Sequence, residues 1–146
     1  MATSFLVCVD GSEQSKRVVE FCSKILYKKG DKVTLFHVYT YEPVPIIPHM
    51  GMTFDYNMVN RGLEKRAHQQ GEAVLNDLVG LAKKLGNERT GSAVKYDIEE
   101  YARTNAEDFD FLVCGSRGMG AIGRALVGSV ADYLVHNSKI STVIVK

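Results

Sequence analysis

Gly115-Ser116-Arg117-Gly118, nine further residues and then Gly128-Ser129 form the stretch of this chain best suited to chemistry. Glycines let backbone N–H groups approach an anion closely. The first turn of a helix adds unpaired N–H donors and a partial positive charge. Just before this stretch, Phe111-Leu112-Val113-Cys114 is a short apolar run that reads as a buried strand; just after it, Val130, Leu134 and Val135 recur at helical spacing. A strand, a glycine-rich loop and a helix start are the parts of a phosphate cradle, and Arg117 and Arg124 put cations on the same loop. A second polar terminus, Asp10-Gly11-Ser12, closes the apolar run Phe5 to Val9.

Two common nucleotide motifs nearly fit. Gly118 to Gly123 matches G-x-G-x-x-G, but that fingerprint opens a helix directly after a first strand, with an acid about 20 residues further on. Here it follows the fourth strand, and the next strand runs to the final residue, Lys146. Gly123 to Ser129 mimics the end of a P-loop but lacks its lysine. Ser129-Val130-Ala131-Asp132 is also a capping-box pattern, so Ser129 has two compatible readings, helix cap and phosphate contact. Asp10, before Gly11, reads equally as a turn residue or a ligand residue.

Alternating elements must hold these groups in place. After the strand Phe5–Val9, Ser12 suits the N-cap of a helix carrying Val18, Phe21, Cys22, Ile25 and Leu26 on one face. Val33 to Val38 is the second strand. Pro43, Pro45 and Pro48 exclude a regular element from Tyr39 to Asn60. A long helix follows, its stripe marked by Leu63, Ala67, Val74, Leu75, Leu78, Leu81, Ala82 and Leu85, with Gly71 inside it. Asn87 to Ser92 is a weakly coded third strand, a frayed edge or a loop. A helix with Val94, Ile98, Tyr101 and Ala102 comes next, and Thr142 to Val145 is the last strand. This alternation predicts an α/β fold: an open five-stranded parallel sheet with helices on both faces and right-handed crossovers. The order 3-2-1-4-5 puts Asp10 and Gly115 side by side at the switch point, where such sheets bind ligands.

The chain of 146 residues suits one domain, 1–146, and its 45% hydrophobic and 24% charged content is ordinary for a soluble protein. A net charge of +1 with scattered basic residues argues against nucleic acid. No apolar run reaches the length of a membrane span, and no signal-peptide pattern opens the chain. Cys8, Cys22 and Cys114 form no C-x-x-C pair, which points to reduced thiols and a cytoplasmic setting. Core packing and redox sensing are both open to them. His37, His49, His68 and His136 show no metal spacing.

The combination G-x-x-G, nine residues, then G-S before a helix resembles the nucleotide-binding branch of the universal stress protein family. Val7 to Ser12 looks like the family's first strand and its aspartate, Leu35 to Val38 like its second strand, and Ser141 to Lys146 like its closing strand. The resemblance implies a Rossmann-like fold and ATP binding, with Mg2+ or Mn2+ carried on the phosphates rather than by side chains. Carried over residue by residue, it places Asp10 by the adenosine, brings the Val38 backbone to adenine and counts Cys8, Val9 and Cys114 among the nucleotide-binding residues. Gly115, Arg117 and Gly118 fall to the ribose and phosphate loop, and Gly128, Ser129 and Val130 to the phosphate tail. It also implies a homodimer through Ser141 to Val145 and a regulatory stress-response role without dedicated catalysis. Slow ATP hydrolysis, self-phosphorylation or a nucleotide-free dimeric scaffold are the alternatives. A receiver-like domain would need an acidic pair at the first strand end, where only Asp10 stands.

Overall fold

The computed structural model describes residues 1–46, 55–95, 105, 108–116, 129–137 and 139–146. Its elements are β1 (Ser4–Cys8), α1 (Glu13–Phe21), β2 (Lys32–Val38), α2 (Tyr56–Lys84), β3 (Thr90–Lys95), β4 (Phe111–Gly115), α3 (Ser129–Asn137) and β5 (Ser141–Val145). All strand pairs are parallel, and the five strands stand in the order β3-β2-β1-β4-β5. This is the doubly wound, Rossmann-like arrangement that the alternation predicts.

Strand alternation divides the core in two. Phe5, Val7 and Val9 face one way and pack with Val18, Val19 and Cys22 of the α1 segment and with Leu75, Leu78 and Ala82 of α2. On this face α1 lies over β1, β4 and β5, α2 lies over β2 and β3, and the two helices touch. Leu6 and Cys8 face the other way, into a second buried cluster with Phe36, Leu112 and Cys114. The right-handed rule places α3, which connects β4 to β5, on that opposite face. Full burial of a Leu or Val side chain stabilises by about 1.5–3 kcal/mol, so these two layers hold the sheet.

Several boundaries differ from expectation, each for a local reason. β3 spans Thr90–Lys95 rather than 87–92, and it pairs with β2 through all six of its residues. It is an edge strand, so its polar face is solvated, and sheet pairing overrides a composition of Thr, Gly, Ser and Ala. Val94 therefore belongs to this strand, not to the helix predicted after it; Ile98, Tyr101 and Ala102 lie outside the described residues. α2 begins at Tyr56 instead of after Asn60, because the Asp55 side chain caps it by accepting the Met58 N–H at 2.9 Å. Ile25 is 66% exposed rather than buried. After α1 the chain continues as a π-helical turn, Cys22–Leu26, whose wider winding rotates Ile25 off the apolar stripe.

Candidate functional site

The carboxyl ends of β1 and β4 lie side by side, because Val7 is in register with Val113. Asp10 leaves the first end and Gly115-Ser116 the second, so the switch point has the composition expected of it. Asp10 is held from two directions. Its N–H donates to Ser15 Oγ at 2.8 Å. Its Oδ1 accepts the Ser15 hydroxyl at 2.8 Å and the Ser12 N–H at 3.0 Å. The turn reading of Asp10 is thus correct, and the turn holds its carboxylate just past the carboxyl end of β1.

Gly11 allows that turn. Its φ is +81°, a region that strains any L side chain, and a Cβ there would meet Val74 Cγ2 at 3.0 Å. Ser12 then caps α1, accepting the Ser15 N–H on its side chain at 3.3 Å. On the β4 side, the Val145 carbonyl at the end of β5 accepts the Ser116 N–H at 2.8 Å and Gln14 Nε2 at 2.9 Å. The first residue of the glycine-rich loop is therefore tied to β5 and, through Gln14, to α1.

Val38 stands at the carboxyl end of β2. The N–H of Lys32 donates to Thr3 O in β1's direction, and residues two apart along a strand point the same way, so Val38 N–H also points toward β1. The last ladder bond between these strands is Val9 N–H to Phe36 O at 2.9 Å. The next acceptor, Val9 O, is instead within 2.9 Å of His37 Nδ1. His37 thus meets the carbonyl that the next ladder bond, from the Val38 N–H, would use.

Cys8 and Cys114 lie on neighbouring strands, one residue past the last paired position, and both are buried in the second core cluster. Burial pushes the Cys114 thiol up to about 11 and the Cys22 thiol up to about 12; burial and the neighbouring Cys114 raise the Cys8 thiol further. All three are free thiols. Protonated and buried, these thiols are poor nucleophiles at neutral pH.

Of the residues expected at the site, the structure brings Cys8, Val9, Asp10, Val38, Cys114 and Gly115 to one sheet edge. Arg117, Gly118 and Gly128 lie outside the described residues, as does Arg124; of Ser129 and Val130 only the backbone is described, as the opening of α3. The sequence reading passed over Ser15, His37 and Gln14. Ser15 was detectable, because the stripe Val18, Val19, Cys22 extended back one turn lands on it, a polar residue at a buried helix position.

The chain matches the universal stress protein family over residues 1–146. A universal stress protein of Mycolicibacterium smegmatis is 31% identical over 147 residues, which cover 96% of this chain and 47% of that protein. This chain therefore spans about half the length of that relative. A Thermus aquaticus protein, described as the universal stress protein in the QAH/OAS sulfhydrylase 3′ region, is 25% identical over the whole of both chains, 146 residues. Among solved structures, universal stress protein UspA from Lactobacillus plantarum superposes with a TM-score of 0.77 at 18% identity, covering 99% of this chain and 97% of its own. A universal stress protein in complex with cAMP gives 0.61 at 22% identity, covering 99% and 96% of the two chains. One from Archaeoglobus fulgidus in complex with dAMP gives 0.58 at 19% identity, covering 99% and 98%. At such identities the structural likeness shows the fold. The family match over the full chain goes further: this chain belongs to the universal stress protein family.

Proposed function

We propose that this protein binds ATP at the carboxyl ends of β1 and β4 and acts as a regulatory stress-response protein, coupling nucleotide occupancy to dimer or partner state. The observation that carries this reading is the convergence at one sheet edge of a fixed carboxylate, Asp10, the Val38 N–H, whose ladder acceptor is met by His37, and the tethered start of a glycine-rich loop, Gly115-Ser116. A carboxylate accepts from ribose hydroxyls or the adenine amine, and a strand N–H can donate to a ring nitrogen. Glycine-bordered loop N–H groups and the start of α3 suit phosphates. The cAMP and dAMP complexes of family members support an adenine nucleotide. In this reading Arg117, Gly118, Gly128, Ser129 and Val130 complete the phosphate side, and Mg2+ or Mn2+ is held by the phosphates.

Calorimetric titration with ATP tests the site. Gly118→Val and Gly128→Val each block close backbone approach and weaken binding by about 30- to 150-fold, equivalent to ~2–3 kcal/mol. Unchanged affinity in both folded variants rejects the site. Turnover above about 1 s⁻¹ in clean protein would move the reading from regulatory binder to ATPase.

The dimer half of the proposal rests on β5. It is an edge strand, and its Ile144 is 43% exposed, so an apolar edge is open to a second copy. Two-fold pairing of β5 with its copy would close both edges. The Val145 carbonyl, and with it the Val143 N–H, faces β4, so Ile144→Pro is the change that removes a donor from the open side of β5 and weakens such pairing. Light scattering over a dilution series gives a dimer mass that falls on dilution; a constant monomer mass rejects the pairing.

A further inference from the structure

We propose that Ser15 is a positioning residue of the nucleotide site, acting through Asp10 alone; this rests on the reading of Asp10 as an ATP-site residue. Ser15 is 4% exposed and stands in the first turn of α1. A serine inside a helix ordinarily returns its hydroxyl to a carbonyl one turn back, as Ser23 does to Val19 O at 2.7 Å. Ser15 does something else. Its hydroxyl accepts the Asp10 N–H and donates to Asp10 Oδ1, both at 2.8 Å. Its donor and one of its two lone pairs are used on one residue, so a single hydroxyl fixes the backbone and the side chain of Asp10 together.

The helix does not need this hydroxyl. Capping of α1 is done by Ser12, which receives the Ser15 N–H on its carbonyl at 3.0 Å and on its hydroxyl at 3.3 Å. The hydroxyl of Ser15 also adds nothing to the apolar layer beneath it. Its one effect in this geometry is on Asp10, where it joins the Ser12 N–H on Oδ1 and sets the plane of the carboxylate. A carboxylate whose plane is set before binding loses less rotational freedom when it meets a ligand donor, and preorganisation of this kind appears as affinity.

A double-mutant cycle decides the matter. ATP affinity is measured by calorimetry on the full chain for wild type, Asp10→Ala, Ser15→Ala and the double variant, with urea unfolding run on each. Ser15→Ala is expected to weaken ATP roughly three- to tenfold, the range of one ordinary hydrogen bond. In the Asp10→Ala background the same change is expected to have no further effect on ATP, although any loss of fold stability persists there. Ser15→Thr, which keeps the hydroxyl, stays closer to wild type than Ser15→Ala and serves if the alanine variant does not fold. Affinity losses that multiply in the double variant, or wild-type affinity in Ser15→Ala while Asp10→Ala binds weakly, overturn the assignment. Wild-type affinity in Asp10→Ala instead rejects the placement of ATP against Asp10 itself.

Discussion

Gly71 of α2 lies directly against His37 of β2: a Cβ on Gly71 would stand 2.8 Å from His37 Cδ2 and 3.2 Å from Val94 Cγ1. The glycine is required by close approach of helix and sheet, not by backbone conformation. The imidazole has little room to retreat, because its Nδ1 is held 2.9 Å from Val9 O.

Gly71→Ala is therefore expected to destabilise by about 1–3 kcal/mol, the usual range for overpacking, despite alanine's better helix propensity. Gly62 and Gly80 lie in the same helix with nothing within 4 Å of a built Cβ. Alanine at either is expected to stabilise by about 0.5–1 kcal/mol. Urea denaturation of the three variants checks the opposite signs.

Asp31 is buried before β2, where its carboxylate accepts the Thr3 N–H at 2.8 Å and the Lys28 N–H at 2.9 Å. The Thr3 bond first, then the Lys28 bond, holds its pKa below the usual carboxylate value. A lowered folded pKa means that the stabilisation is complete above the unfolded value, near pH 4, and is lost as pH falls through the folded one. Asp31→Asn should cost about 1–3 kcal/mol at neutral pH. The gap from wild type should narrow below about pH 4 in denaturation curves recorded at stepped pH.

Burial raises the pKa of Cys8, Cys22 and Cys114. An alkylating reagent at neutral pH is expected to leave all three unmodified in the folded chain and to label all three in urea, read by intact mass. Rapid labelling of Cys8 or Cys114 without denaturant would revive the redox-sensing reading.

The segment after β2 is clamped to α2 by one side chain: Val44 N–H donates to Asn60 Oδ1 at 2.7 Å, and Asn60 Nδ2 donates to Val44 O at 3.3 Å. Asn60→Ala should speed proteolytic cleavage between Tyr39 and Ile46 while shifting global stability by no more than about 0.5 kcal/mol, because the clamp lies outside both core clusters. Limited proteolysis beside urea unfolding separates the two effects.

What was readable in the sequence follows the physics of burial. β1 and β4 carry continuous apolar runs because both faces are covered, β2 is mostly apolar about Thr34 and His37, and β5 is betrayed by its β-branched residues. β3 has one covered neighbour and small polar residues, so its existence depends on β2 offering a partner, a fact located elsewhere in the chain. At the site, Asp10 and Gly115 were visible as strand ends, and Val38 came through the family resemblance. Ser15 shows in the sequence only as a polar residue on a buried stripe; its bond to Asp10, like those of His37 and Gln14, joins a distant or turn-bent backbone, which no periodicity encodes.

His37 and Val94 are the next-to-last residues of β2 and β3, so Gly71 marks the level at which α2 passes the carboxyl edge of the sheet. The helix residues that are fully buried, Gly71, Leu75, Leu78 and Ala82, all lie from that level onward. The turns from Tyr56 to Gln70 project past it, about 22 Å at 1.5 Å per residue. α2 is thus a helix of two parts: from Gly71 onward it is packed into the core, and before Gly71 it carries residues 39–46 through Asn60, and through Tyr39 against Glu64 and His68. Gly71 is therefore the point of contact between His37 and the helix that carries residues 39–46, so a side chain added there would press on both at once.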